Sequence, residues 1–170
     1  MKRAIYAGSF DPFHKGHLDI VIRASKIFDE VYIVIAKNPN KTRRFDSEKM
    51  VKAIQQTLID NNLTNCGCFL ANENEYTVDV AKSIGAKYLI RGLRDAEDFV
   101  YEIEMANNNI ELNPNIETIF LPTNQAYCFI SSSYINHYLQ IKQYPTASLA
   151  MPTPIFNLCK GIIEENESKN

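Results

Sequence analysis

Tyr6-Ala7-Gly8-Ser9-Phe10-Asp11-Pro12-Phe13-His14-Lys15-Gly16-His17 joins an apolar run to an amphipathic one. Ahead of it, Ala4-Ile5-Tyr6-Ala7 reads as a short buried strand. Behind it, Leu18, Val21, Ile22 and Phe28 recur at helical spacing. The stretch is therefore a strand-to-helix turn. In an open parallel sheet such a turn lies at a crevice, where free backbone N–H groups at the helix start attract anions. Gly8 permits tight turning or close backbone approach, Pro12 holds one backbone angle, and Gly16 keeps the helix entrance uncrowded. His14 and His17, three residues apart, can face one ligand.

Working outward, the remaining histidine, His137, reads as an ordinary surface or capping residue. A structural zinc site does not fit: Cys66, Cys68, Cys128 and Cys159 show no Cys-x-x-Cys spacing beside the histidines. The turn matches neither G-x-x-x-x-G-K-[ST] nor G-x-G-x-x-G, so it is a phosphate turn of another kind. Val31 to Ile35 is a β-branched run suited to a strand covered on both faces. Lys41-Thr42-Arg43-Arg44 follows it on the same rim as the histidines. Lys41 is the better ligand candidate, while Arg43 and Arg44 read as solvated charge. Ser47 is expected to cap a helix with Met50, Val51, Ile54 and Leu58 on its apolar face, ending near Asn61-Asn62.

Cys66 to Leu70 is a weaker strand. Thr77 is expected to cap a short helix through Ile84 that Gly85 terminates, and Tyr88 to Ile90 forms the next strand. Arg91 and Arg94 leave that strand beside Gly92, and paired guanidinium groups suit phosphate oxygens. The competing reading of Arg94 is an ion pair with Asp95 or Asp98. Asp95 caps a helix whose buried stripe would be Phe99, Ile103 and Ala106, with Tyr101 and Glu102 off the stripe. Ile116 to Leu121 is a fifth strand ended by Pro122, and Ser131-Ser132-Ser133 reads as a serine-capped helix start. Beyond Tyr144, Pro145, Pro152 and Pro154 suggest a connector. Thr153 and Pro154 then open a last helix with Ile155, Leu158, Cys159, Ile162 and Ile163 on one stripe, frayed from Glu164 onward. Strands alternating with helices over short connections predict an α/β protein with a parallel five-stranded sheet and right-handed crossovers.

At 170 residues, one domain over 1–170 is expected, with residues 153–170 as C-terminal helix and tail. A composition of 45% hydrophobic and 22% charged residues is that of a soluble globular chain. The net charge of −2 excludes a global pull toward nucleic acid or acidic membranes, so an anion site must be local. No apolar run approaches membrane-spanning length, and the start lacks the apolar core of a signal peptide, which points to the cytoplasm with reduced thiols.

Gly8-Ser9-Phe10-Asp11-Pro12 with His14-Lys15-Gly16-His17 resembles the G-[ST]-F-D-P and H-x-G-H signature of the nucleotidyltransferase superfamily. Ile90-Arg91-Gly92-Leu93-Arg94 and Phe129-Ile130-Ser131-Ser132-Ser133, in this order and spacing, sharpen the likeness to the phosphopantetheine adenylyltransferase family. The resemblance implies a Rossmann-like sheet with helices on both faces, a homohexamer, and coenzyme A as a feedback ligand. It implies adenylyl transfer from ATP, with magnesium, to 4′-phosphopantetheine, giving dephospho-coenzyme A and pyrophosphate. His17 would stabilise the transition state at the α-phosphate, with His14 close to the triphosphate. Ser9, Phe10, Gly92, Leu93, Arg94, Glu102 and the run Tyr127, Cys128, Phe129, Ile130, Ser131, Ser132 and Ser133 would border ATP. Ser9, Lys41, Arg91 and Thr77 would hold the acceptor. Residues 13–15 fall where the family varies, so Lys15 reads as a solvated charge, and no residue is assigned as a metal ligand. Two other readings stay open: a nucleotidyltransferase acting on nicotinamide mononucleotide or a polyol phosphate, and a non-catalytic nucleotide-binding module.

Overall fold

The computed structural model describes residues 1–36 and 42–168. Five parallel strands, β1 (Arg3–Gly8), β2 (Glu30–Ile35), β3 (Cys66–Leu70), β4 (Tyr88–Leu93) and β5 (Glu117–Pro122), form one sheet in the order β3-β2-β1-β4-β5. The chain builds outward from β1 to β3, then returns to the other side of β1 for β4 and β5. The topological switch point thus falls between β1 and β4. Between the strands run α1 (Lys15–Ala24), α2 (Ser47–Asp60), α3 (Thr77–Ser83) and α4 (Ala96–Leu112); α5 (Ser132–Gln140), α6 (Tyr144–Ala150) and α7 (Thr153–Glu167) follow β5.

The two-residue alternation of β1 divides the core. Ala4 and Tyr6 face a large cluster with Ile20 and Val21 of α1, Met50 and Ile54 of α2, Ile135 and Leu139 of α5, and Ile155 and Cys159 of α7. Ile5 and Ala7 face a smaller cluster with Val78, Val80 and Ala81 of α3. Both faces of the sheet are therefore covered, as the uninterrupted apolar run of β2 required.

Several local expectations are corrected. Asp46, not Ser47, caps α2: its carboxylate accepts from Lys49 N at 2.8 Å, while Ser47 is buried in the first turn. Asp46→Ala is expected to cost about 1 kcal/mol, a fall of roughly 2–4 °C in Tm, with Ser47→Ala lacking this cap effect. Thermal melts of the two variants decide between the caps. Thr77 is the first residue of α3, which has no side-chain cap, whereas Gly85 does terminate it at φ +67, where a Cβ would be strained. β4 runs on through Arg91 and Gly92 to Leu93.

On α4, Phe99 and Ile103 are exposed and only Ala106 and Asn109 are buried, because the rest of the chain covers little of the helix. Residues after Tyr144 form α6, not a connector. Pro145 occupies a first-turn position that needs no N–H, and Ala147 and Ala150 are buried. α7 continues to Glu167, where Lys142 Nζ pairs with Glu167 Oε2 at 2.9 Å.

Candidate active site

β1 pairs with β2 along its whole length but with β4 at Ala4–Tyr88 and Ile5–Leu89, near the start of both strands. Past Leu89 the strands part, and Arg91 bridges the gap by donating from Nη1 to Ala7 O at 3.0 Å. A cavity of about 280 Å³ opens there. Tyr6, Gly8, Arg91 and Gly92 reach it from the strands; Ser9, Phe10, His14 and His17 from the turn and α1; Arg94, Asp98 and Glu102 from the start of α4; and Thr123, Tyr127, Ile130, Ser131 and Ser132 from the β5–α5 connection.

The turn is shaped by its aromatic packing. Phe10 takes φ 45, a conformation that bulky side chains rarely adopt. Its ring is held edge-on to Tyr6 and His17 at centroid distances of 5.3 and 4.9 Å, and tilted against Phe13 at 5.6 Å. A Cβ on Gly8 would come within 3.0 Å of that ring, which is why residue 8 lacks one. The Asp11–Pro12 peptide is cis.

His14 is the N-cap of α1, and the two histidines cap reciprocally. His17 N donates to His14 Nδ1 at 3.3 Å, and His14 N donates to His17 Nδ1 at 3.2 Å. Each Nδ1 is therefore an acceptor, so the ring proton resides on Nε2 and each imidazole offers one Nε2–H donor. The rings stack at 3.5 Å with 18° between their planes. Burial, with Arg94 nearby, lowers His14 to about 3. Burial, then His14 and Arg94, holds His17 well below the ordinary histidine range. Both are neutral donors at neutral pH.

This arrangement makes the fold acid-sensitive. Above pH 6.5 neither the folded nor the unfolded chain protonates these rings. Below it the unfolded chain binds protons that the folded chain refuses until pH approaches the lowered values. Stability is thus present above the unfolded pKa and is lost as pH falls, by about 1.4 kcal/mol per pH unit for each histidine. Denaturant titrations at several pH values from about 7 to about 4.5 are expected to show this decline, and a flat profile would contradict neutral burial.

The charged groups are arranged in pairs. Arg94 grips Asp98 with Nε–Oδ2 at 2.8 Å and Nη2–Oδ1 at 2.9 Å, which lowers the Asp98 carboxyl and raises the guanidinium. The ion-pair reading of Arg94 therefore holds, with Asp98, and Arg94 lines the cavity nonetheless. Arg91 Nε stands 3.2 Å from Glu102 Oε2 without hydrogen-bond geometry, so that buried oxygen has no donor. Burial raises Glu102, opposed by Arg91. Burial likewise lifts the Tyr6 phenol far above its ordinary range, keeping it protonated. Two arginines and two carboxylates cancel. What remains is a set of neutral donors between the starts of α1 and α5, neither of which has an acidic residue in its first turn.

Of the expected site residues, Ser9, Phe10, His14, His17, Arg91, Gly92, Arg94, Glu102, Tyr127, Ile130, Ser131 and Ser132 meet around this cavity. Ser131 caps α5 by accepting from Tyr134 N at 3.1 Å. Ser133 faces a second, adjoining chamber. Leu93, Cys128, Phe129 and Thr77 do not line the cavity, and Phe129 is 87% exposed. Lys41 lies outside the described residues.

Sequence reasoning missed the supports of the turn. Asp11 accepts from Arg44 N at 2.7 Å and Phe45 N at 3.0 Å, Arg43 Nη1 donates to Ser9 O at 2.5 Å, and Arg44 Nη1 donates to Asn136 O at 3.3 Å. Arg43, half-buried, is therefore a structural partner of the turn and not a solvated charge, whereas Arg44 stays exposed and braces the turn through its backbone N–H and one guanidinium contact. From the other side Ser132 Oγ donates to Pro12 O at 2.9 Å and Asn136 Nδ2 to Asp11 O at 3.0 Å. These contacts join residues far apart in the chain, and no local pattern announces them.

A parallel sheet with donors gathered at its switch point defines a nucleotide-handling α/β protein, and the profile of the Cytidylyltransferase-like family matches residues 5–137. The phosphopantetheine adenylyltransferase of Alkaliphilus metalliredigens is 41% identical over 142 residues, covering 84% of this chain and 88% of the relative. That of Clostridium novyi is 44% identical over 135 residues, covering 79% and 81%. The chain belongs to the phosphopantetheine adenylyltransferase family of nucleotidyltransferases. Among solved structures, Thermotoga maritima TmcAL bound with alpha-thio ATP superposes with a TM-score of 0.67 at 14% identity, over 97% of this chain and 56% of that one. The lipopolysaccharide core biosynthesis protein of Thermoplasma volcanium gives 0.53 at 20%, over 73% and 97%. At those identities the likeness is one of fold.

Proposed function

We propose that this protein transfers the adenylyl group of ATP to 4′-phosphopantetheine, releasing pyrophosphate and forming dephospho-coenzyme A. The reciprocal cap of His14 and His17 carries the chemical part of this reading, because it presents neutral Nε2–H donors beside two helix starts at the switch point. The choice of acceptor rests on the relatives' name. An oxygen of the acceptor phosphate attacks the α-phosphorus, and the bond to pyrophosphate breaks in line. The nucleophile is already an anion, so no strong base is needed. The protein contributes positioning and hydrogen bonds to the charge that develops on the α-phosphate.

His17 donates to an α-phosphate oxygen, and His14 stands close to the triphosphate. Arg91, with Lys41, holds the acceptor phosphate, and Thr77 is assigned to the pantetheine arm. Gly92 and Arg94 border the nucleotide with Tyr127, Ile130, Ser131 and Ser132. The orphan oxygen of Glu102 can accept from a nucleotide N–H or O–H group. Among the described residues no three acidic, histidine or cysteine side chains converge to hold an ion, and Asp98 and Glu102 already face arginines. Magnesium brought with the nucleotide would supply positive charge that the balanced cavity lacks.

Coenzyme A, which contains the product's structure, is assigned to the same site as a feedback ligand. The exposed apolar face of α4, with Phe99, Val100, Ile103 and Ile110, favours burial against further copies, in keeping with a homohexamer. Four free thiols, and no helix among the described residues long and apolar enough to cross a membrane, fit a cytoplasmic enzyme.

Pyrophosphate release from ATP and magnesium tests the reading, with 4′-phosphopantetheine, nicotinamide mononucleotide and glycerol 3-phosphate added separately. Release with 4′-phosphopantetheine alone is expected. Release with another acceptor would move the substrate, and nucleotide binding without release would leave a binding module.

A further inference from the structure

α6 and α7 lie beyond residues 5–137, the part of the chain that the family profile matches. The first half of α7 is ordinary core, with Ile155 and Cys159 fully buried. Its second half buries no residue fully, yet the helix runs on about two more turns to Glu167. Ile162 and Ile163 pack against the large core cluster, to which Phe45 also belongs, and with Glu167 they face Arg44 and Phe45 across a cleft of about 220 Å³. The tip of the helix is tied, by Lys142 Nζ and Glu167 Oε2 at 2.9 Å, to the segment just past α5.

Residues 44–45 and α5 are the two segments that hold the histidine turn. The Phe45 ring is buried, and the N–H groups of Arg44 and Phe45 donate one to each oxygen of the Asp11 carboxylate. α5 supplies Asn136, which donates to Asp11 O and accepts from Arg44 at its own carbonyl. Asp11 precedes His14 by three residues. α7 runs close by: burial pushes the Cys159 thiol up to about 12, and Asp11 and Arg44 are the charges that bear on it. A close-packed interior transmits a displacement instead of absorbing it. A shift of residues 44–45 against α5 would therefore reach Asp11, whose two oxygens are committed to adjacent amides.

We propose that the second half of α7 is a positioning element for the histidine turn: Ile162 and Ile163 seat residues 44–45, Glu167 ties the exit of α5, and together they fix Asp11 and hence the imidazoles of His14 and His17. None of these α7 residues lines the main cavity, so they act only through others. The exposed Lys142–Glu167 pair contributes little by itself, which leaves the two isoleucines to carry the constraint.

Ile162→Ala combined with Ile163→Ala, in the full chain, removes the seat. Leu158→Ala is the control, because Leu158 packs on the same core from α7 without lining the cleft. The chain has three histidines, so ring NMR signals report His14 and His17 directly once His137→Gln has identified the third. At a temperature well below its Tm, the double variant is expected to shift or broaden both ring signals. Leu158→Ala and the conservative pair Ile162→Val with Ile163→Val should leave them in place. The kinetic arm rests on the adenylyl-transfer reading: kcat should fall about tenfold in the double variant with KM for ATP within about twofold, since misplacing reacting groups by about 1 Å costs about 100-fold and a smaller shift costs less. Unmoved histidine signals in the double variant overturn the proposal, as does an unchanged kcat in an active enzyme. Equal shifts in Leu158→Ala overturn it too, by making α7 a general stabiliser. Where the double variant does not fold, Ile163→Ala alone takes its place in the same comparison. The signals need no turnover, so shifted rings in a protein that releases no pyrophosphate with 4′-phosphopantetheine would remove the function and keep the positioning.

Discussion

Replacing His17 by alanine is expected to lower turnover by about 100- to 1,000-fold while leaving nucleotide affinity much less affected. Loss of one preorganised donor to developing charge has that size. The cap geometry refines the expectation. Nδ1 of His17 accepts the His14 backbone N–H, so the group left for the ligand is Nε2–H. A glutamine amide nitrogen reaches about where Nε2 sits, whereas an asparagine can restore only the cap contact. His17→Gln is therefore expected to keep more turnover than His17→Asn, although Asn should restore stability better. The opposite order would mean that the histidine acts by organising the helix start. Neither imidazole is expected to titrate near its ordinary value, because burial lowers both. The pH profile of kcat should accordingly show no limb near pH 6.5 that depends on His17: a limb from the acceptor phosphate persists in His17→Gln, and one that disappears there would assign a charged imidazole to the reaction.

Phe13→Ala is the substitution expected to cost most stability. The side chain is fully buried, packed against Phe10 at 5.6 Å and His17 at 5.4 Å. Large-to-small changes of a buried phenylalanine cost about 3–5 kcal/mol, and each kcal/mol lowers Tm by roughly 2–4 °C in a chain of this size. Phe129→Ala, at an 87% exposed position, should stay within about 0.5 kcal/mol in a denaturant titration. Similar losses in both would mean that Phe13 is not the floor of the turn. Turnover should fall further in Phe13→Ala than stability alone predicts at low temperature, because the ring beneath His17 sets its orientation. Phe13→Leu, which retains much of the apolar volume, is expected to lose less of both.

Phe13 also illustrates how the reading of the sequence was limited. It lies between Pro12 and His14 in a turn, where no period of two or 3.6 exists to assign it a face, so its burial was not legible. The same holds for Arg43 and Arg44. A run of basic residues after a strand reads as solvated charge, and only the folded chain brings Asp11 within 2.7 Å of the Arg44 amide and Ser9 O within 2.5 Å of Arg43. On α4 the spacing of Phe99, Ile103 and Ala106 signals an apolar face but not what that face meets. The sheet covers little of it.

By itself the sequence determined the order and type of the strands and first five helices, because strand and helix periods and capping residues act over a few neighbours. It also determined that the histidine turn, the Arg91 strand end and the serine-capped helix fall on one rim. A parallel sheet leaves no other place for the carboxyl ends of its strands. Tertiary structure alone decided where β1 and β4 part, which ring nitrogen of each histidine keeps its proton, and that residues 43–45 and Asn136 hold the turn from two sides. Those features are contacts between segments tens of residues apart. Their distances and directions exist only once the sheet, with its switch point between β1 and β4, has set the segments side by side.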